Sequence, residues 1–292
     1  MSYRLLSQSA GISLLAITVW ALVSGLGSVQ SGEDVLVFGL LCLAVAGLGG
    51  IMFLALRWAT SGSAVYWRTR DAKRQVARIL TMIICALVVQ MAVTAYFDRQ
   101  GRLGETSAAV FLVIWTLFPA MFLGTRIVQW PSRVLSPSTF QLLIAGAIAL
   151  GIATVQTSLG FFSAASEAPI QPVSQWPLIL GSLVLGAAAE EVVWRVLLLT
   201  ALLQASGSRF QAVLLSGVGF ALMHAPLALM QPVLRADWPM LHFAVNAYAP
   251  EFLMQAAVGC FLGVIWLRTG SIMLVVLTHT VLNLGPSLVL GV

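Results

Sequence analysis

Nine apolar runs follow one another along this chain, at roughly residues 9–29, 35–56, 79–96, 108–127, 140–159, 178–203, 210–230, 252–267 and 272–292. Most approach the about 19–20 residues that carry a helix across a bilayer. In hydrocarbon no water satisfies a backbone N–H or C=O, so runs of this kind fold as helices and little else. An all-α, polytopic bundle of eight or nine spans is the expectation. Charge agrees with it. Only 9% of the 292 residues are charged and 60% are hydrophobic, against about 25% charged residues in a soluble domain. No stretch is polar enough for a separate soluble domain. The net charge of +5 is small and follows from membrane topology, so it is not read as nucleic-acid binding, and no nucleic-acid partner is expected. Cys42, Cys85 and Cys260 lie in or beside apolar runs, which suits neither a disulfide framework nor a metal cluster.

The first run follows Arg4, as in a signal peptide. It is longer than the usual apolar core of such a peptide and meets no clean small-residue cleavage site, so it reads as a retained span. The run after Phe210 meets Pro226 and Pro232, where its helix is expected to end or kink near His224. Beyond it, 231–250 reads as a loop, with His242 as a surface histidine. If nine spans alternate, eleven basic residues fall on one side, six of them between Arg57 and Arg78, joined by Arg4, Arg126, Arg133, Arg209 and Arg268. Three (Arg99, Arg102 and Arg235) fall on the other. That bias puts the N-terminus in the cytoplasm. The proline- and serine-bearing stretch QWPSRVLSPS divides the chain into 1–137, four spans of open role, and 138–292. Trp130, Trp176 and Trp238 read as interface anchors. Gln90 and Gln255 read as interhelical hydrogen-bond donors.

The sixth run holds Glu190 and Glu191, two of only ten acidic residues in the chain. A charge at mid-membrane costs at least a few kcal/mol, about 2.5–3.5 on the lowest scale, so such residues face partners or a wet cavity. Arg195 stands four residues after Glu191 and shares its helix face. Glu190 is rotated by about 100° and needs another partner. The next run supplies Phe220 and His224, four apart. The last supplies His279 and Asn283, also four apart. Three helices thus present a carboxylate, an imidazole, and an imidazole with a carboxamide. These are the parts of a hydrolytic site: a desolvated carboxylate to take a proton from water, a histidine to hold the water, and donors for a developing oxyanion. No GxSxG elbow and no HExxH pair occurs, which argues against serine and zincin chemistry.

The ordered set E-E-x-x-x-R, F-x-x-x-H and H-x-x-x-N resembles the CAAX-protease and bacteriocin-processing family, also called the Abi or glutamic intramembrane protease family. The matching residues are Glu190, Glu191 and Arg195, then Phe220 and His224, then His279 and Asn283. The segment LRTGSIMLVVLTHTVLN is also similar to that family's closing segment. The resemblance covers roughly residues 140–290. It implies an intramembrane endopeptidase in which Glu190 activates water, His224 positions it, and His279 with Asn283 forms the oxyanion site. Glu191, Arg195 and Phe220 would support them. Trp194 departs from the family's usual Phe, and Val196 from a Gly that often follows the Arg.

Each residue also has a plainer reading. Glu191 with Arg195 makes a structural ion pair. His224 alone is a packed interfacial residue, and His279 with Asn283 alone is interhelical glue. Intramembrane Glu, His and Arg also mark transporters and proton relays, and a catalytically silent scaffold would keep the same groups. No cofactor is expected. Zinc is the alternative, held by Glu190, His224 and His279. The resemblance implies a membrane protein or a lipidated or apolar peptide as substrate. With no sorting signal in view, a bacterial inner membrane is the expected location.

Overall fold

The computed structural model describes residues 2–26, 50–51, 54–55, 57–59, 67–133, 137–165, 169–234 and 236–290. The apolar run 35–56, most of it, and with it Cys42, lies outside the described residues, as does Arg235. Among the described residues the fold is all-helical apart from one two-stranded antiparallel ribbon, β1 (Trp67–Arg68) paired with β2 (Ser132–Arg133). The helices are α1 (Tyr3–Leu26), α2 (Ala72–Arg99), α3 (Leu103–Gly124), α4 (Thr139–Ala165) and α5 (Trp176–Glu191). A π-helix over Val192–Leu199 continues α5 into α6 (Thr200–Ser206). Then come α7 (Arg209–Leu234), α8 (Trp238–Thr269) and α9 (Ile272–Leu290). Among the described residues, four helical stretches are long and apolar enough to cross a membrane: Ala72–Arg99, Thr139–Ser158, Trp238–Thr269 and Ile272–Val289. These agree with the expected all-helical membrane bundle, and, being drawn from the described residues alone, they leave its count of eight or nine spans as a proposal.

Two expectations are corrected in the same region. The segment 231–250 is not a loop. α7 passes through Pro226 and Pro232 to Leu234, and α8 begins at Trp238. His242 therefore sits exposed on a helix. A proline in a membrane helix removes one N–H, and neighbouring helices and local adjustments absorb the loss. Asp237 starts α8 by accepting from Met240 N at 3.0 Å, with Pro239 in the first turn. Gly270, at φ 59°, ends α8 in the left-handed conformation that only glycine adopts without strain. Gln90 makes its interhelical hydrogen bond as an acceptor: Trp115 Nε1 donates to its Oε1 at 2.7 Å, joining α3 to α2.

The core is a layered set of apolar helices with α5–π–α6 at its centre. Val193, Val196 and Leu199 are fully buried there. Small residues set the closest crossings. Gly217 on α7 and Gly259 on α8 touch backbone to backbone, and a Cβ at Gly259 would lie 2.8 Å from Gly217 Cα. Close approach through glycine is how helices associate where lipid offers no hydrophobic drive. The second tight crossing joins α9 to α4. Gly285 N donates to Thr157 Oγ1, and a Cβ at 285 would overlap the Thr157 carbonyl. Gly285→Ala is therefore expected to push α9 from α4 and cost about 1–3 kcal/mol, the range for overpacking. Scanning fluorimetry in detergent reads this as a lowered apparent Tm. An unchanged Tm would mean that the crossing is looser than described.

Candidate active site

The π-helix begins at the residue after the two glutamates. A π-turn widens the helix and interrupts its regular ladder, and such turns recur at functional positions. Here Thr200 Oγ1 supports the Arg195 carbonyl at 3.2 Å and accepts from Trp266 Nε1 of α8 at 3.1 Å. The widened segment is thus held from a second helix.

Glu191 and Arg195 are both fully buried, with Arg195 Nε 2.9 Å from Glu191 Oε2. The approach is close but poorly aligned for a hydrogen bond, so the contact is an ion pair. Arg195 Nη1 donates to Ser216 Oγ at 3.3 Å, and Ser216 donates in turn to the Trp194 carbonyl at 2.9 Å. The guanidinium carbon lies 5.0 Å from the centre of the Phe220 ring, a cation–π contact in a water-poor place. Phe220 is more than filler. Its ring meets His224 edge-on at 5.0 Å and His279 at 5.8 Å, and Trp194 packs on it at 6.2 Å.

The other carboxylate oxygen of Glu191 receives His279 of α9, with Nδ1 2.8 Å from Oε1. The carboxylate is an acceptor, so Nδ1 carries the proton and Nε2 is the free nitrogen of His279. Nε2 faces Glu190 Oε2 at 3.7 Å. That gap is too long for a direct hydrogen bond, but one water can reach both atoms. On α7, His224 Nδ1 lies 2.9 Å from the Phe220 carbonyl, which can only accept. Nδ1 therefore holds the proton here too, and Nε2 is left free on a half-buried ring. His224 and His279 both lie within electrostatic range of Glu190.

The structure thus brings Glu190, Glu191, Arg195, Phe220, His224 and His279 together from α5, the π-helix, α7 and α9. Asn283, one turn beyond His279, is exposed. Two features were not legible in the sequence. Glu191 serves two partners, Arg195 and His279, where spacing gave it only the first. Ser216 joins the network as an ordinary serine in an apolar run, with no motif to mark it. Glu190, His224 and His279 do not close up into a metal-ligand set, and among the described residues no group of three or more His, Cys, Asp or Glu side chains does.

Beside the site lies a cavity of about 310 Å³ with an almost wholly apolar lining. Tyr3, Val76, Ile83, Leu198 and Leu215 line it, together with Trp194 and Met223. The Trp194 indole N–H points to Met223 Sδ at 3.3 Å. Its ring occupies the space a side chain at Gly219 would need, since a Cβ there would be 2.8 Å from Trp194 Cζ3.

No curated protein and no solved structure matches the chain. Residues 172–285 match the model of a family of endopeptidases. That range opens just before α5 and closes at Gly285, so it encloses every group of the cluster. The model matched by the segment that builds this site is that of the type II CAAX prenyl endopeptidase Rce1-like family, in agreement with the resemblance of its motifs.

Proposed function

We propose that the chain is an intramembrane endopeptidase that cleaves a membrane-associated protein or peptide by direct attack of water. The observation that favours this reading is the inequality of two adjacent carboxylates. Glu191 is saturated by Arg195 on one oxygen and His279 on the other. Glu190 is also buried, though 8% exposed where Glu191 is wholly enclosed, and among the described residues its nearest polar side-chain neighbour is His279 Nε2 at 3.7 Å, beyond hydrogen-bond reach. A buried carboxylate with an unfilled oxygen beside two free imidazole nitrogens is suited to take a proton. In this mechanism Glu190 removes a proton from water as the oxygen attacks the scissile carbonyl carbon. His224 Nε2 orients that water. The oxyanion is met by His279, when protonated on Nε2, and by the carboxamide of Asn283. Glu190 then passes the proton to the departing amine as the C–N bond breaks. Glu191, Arg195 and Phe220 hold the two histidines in place.

The reading extends to a metal-free, glutamic mechanism and to residues 138–292 as the protease unit, with the N-terminal region 1–137 outside it. It extends also to a bacterial inner membrane with the N-terminus in the cytoplasm. Arg57, the stretch 67–78, the stretch 126–133, Arg209 and Arg268 gather at one end of the bundle, which supports that orientation. Trp67 stacks on Trp266 at 4.6 Å and Arg78 donates to the Ile127 carbonyl. The apolar cavity supports a substrate with a lipid or an apolar segment.

His224→Ala is expected to lower the cleavage rate by about 100-fold or more while the protein stays folded, the usual scale for one acid–base or water-positioning group. A farnesylated CAAX peptide presented in proteoliposomes is the first substrate to try. Wild-type turnover by His224→Ala would remove the histidine from the mechanism. Stoichiometric zinc in the purified protein, with activity lost on chelation and regained with zinc, would replace the glutamic mechanism by a metal one.

A further inference from the structure

We propose a phosphate-binding site for an anionic phospholipid headgroup at the arginine-bearing end of the bundle, built from Arg57, Arg209 and Arg268. The helix register brings two of these together. α7 and α8 run antiparallel and touch at Gly217 and Gly259. One turn further on, Cys260 Sγ lies 3.8 Å from the Val213 carbonyl, and a Cβ at Gly263 would meet the Val213 side chain. One more turn in the same register sets Arg209, the first residue of α7, beside the end of α8 at Leu267 and Arg268. Arg57 and Arg209 both lie within electrostatic range of Arg268. Arg57 and Arg209 are exposed and Arg268 is half-buried. Among the described residues none of the three has a carboxylate partner. Three like charges from three elements oppose one another at such a place unless an anion joins them.

The surroundings also supply donors without acceptors. The segment Trp67–Thr69 is clamped between the same helix ends. Trp67 stacks on Trp266, two residues before Arg268, and Thr69 N donates to Gln204 Oε1 at 2.7 Å, five residues before Arg209. On this clamped segment Trp67 Nε1 and Thr69 Oγ1 are buried and find no hydrogen-bond partner among the described residues. A buried donor left unmade costs free energy. Surplus donors beside surplus positive charge call for a ligand that is anionic and rich in acceptor oxygens, which describes a phosphate ester. Membrane position selects the lipid form over a soluble one. The cluster sits at helix ends flanked by Trp58 and Trp130, exposed by 72% and 55%, and exposed tryptophan marks the headgroup level. Basic clusters at the membrane surface attract anionic lipid.

The site is independent of the catalytic cluster, and its test needs no substrate. The full chain is purified in a neutral detergent and its apparent Tm is followed with added phosphatidylglycerol, phosphatidylcholine or inorganic phosphate. Native mass spectrometry counts the retained lipid. The expected result is a rise of several degrees with phosphatidylglycerol, little with phosphatidylcholine or inorganic phosphate, and a retained anionic lipid. The double variant Arg209→Gln, Arg268→Gln should lose most of that rise and the retained lipid. Arg57→Gln, on an exposed side chain, repeats the test should the double variant fail to fold. An equal rise with phosphatidylcholine, or an undiminished rise in the variants, would overturn the proposal. A full rise with inorganic phosphate alone would overturn the lipid assignment.

Discussion

Glu190→Gln is expected to abolish cleavage and to leave the bundle folded. The substitution keeps the shape of the side chain and removes only its capacity to accept a proton. Glu190 stands outside the chain Arg195–Glu191–His279 that ties α5 and the π-helix to α9. Its closest polar approach, to His279 at 3.7 Å, is too long for the fold to depend on it. Loss of a general base lowers rate by about 100- to 10,000-fold. Because the proposed mechanism gives no other group in reach the same task, the upper part of that range is expected. Two measurements belong together: cleavage in proteoliposomes, and apparent Tm in detergent. A dead variant with wild-type Tm is the expected pair. Wild-type cleavage by Glu190→Gln would end the proposal that this residue activates water. The inactive variant is also the means to find the natural substrate. Membrane proteins retained by Glu190→Gln and not by wild type, identified by mass spectrometry, are candidates for what the enzyme cuts.

Glu191→Ala should injure the protein far more deeply, because one carboxylate holds two other groups. Without it, Arg195 is a fully buried cation whose Nη2 already has no hydrogen-bond partner among the described residues. Removing one member of a buried ion pair costs about 3–5 kcal/mol, much of it the stranded charge of the survivor. His279 simultaneously loses the acceptor that fixes its ring. Stability and activity are therefore both expected to fall. The double variant Glu191→Ala, Arg195→Met separates the two effects. Removing both charges should recover part of the lost stability, since apolar replacement of a whole buried pair is often neutral or better. Activity should not return, because His279 remains unheld. Comparable Tm values for the single and double variants would show that the stranded arginine is not the source of the loss. Recovery of activity in the double variant would remove Glu191 from any role in orienting His279.

The local part of this site was legible in the sequence, and the tertiary part was not. Glu191 and Arg195 stand four apart on one helix, so their pairing follows from helix geometry alone. The bond from His279 to Glu191 depends on how α9 leans against α5, which spacing along the chain does not encode. Spacing left Glu190 in search of a partner and gave Glu191 a complete one. The structure instead gives Glu191 two strong partners and leaves Glu190 with looser neighbours, His279 at 3.7 Å and His224 within electrostatic range. Prolines account for the misread stretch at 231–250. Pro226, Pro232 and Pro250 all lie inside helices, and the rule that proline ends a helix is drawn from chains surrounded by water. Ser216 and Thr200 illustrate a third limit. Each has a side-chain partner on another element, and nothing in its own neighbourhood distinguishes it from other small hydroxyl residues of membrane helices.

Trp194 and Gly219 form a lock whose two halves can change in only one order. The indole fills the volume that a side chain at 219 would require, so any substitution at 219 must wait until 194 has become smaller. The reverse path is open: a smaller aromatic at 194 leaves a gap, which a residue at 219 can then fill. Chains that took the first step by different routes would be left with different walls on the same apolar cavity. Homologous enzymes that share every reacting group would then diverge in what they accept through the history of one ring and one missing methyl, with the chemistry itself unaltered.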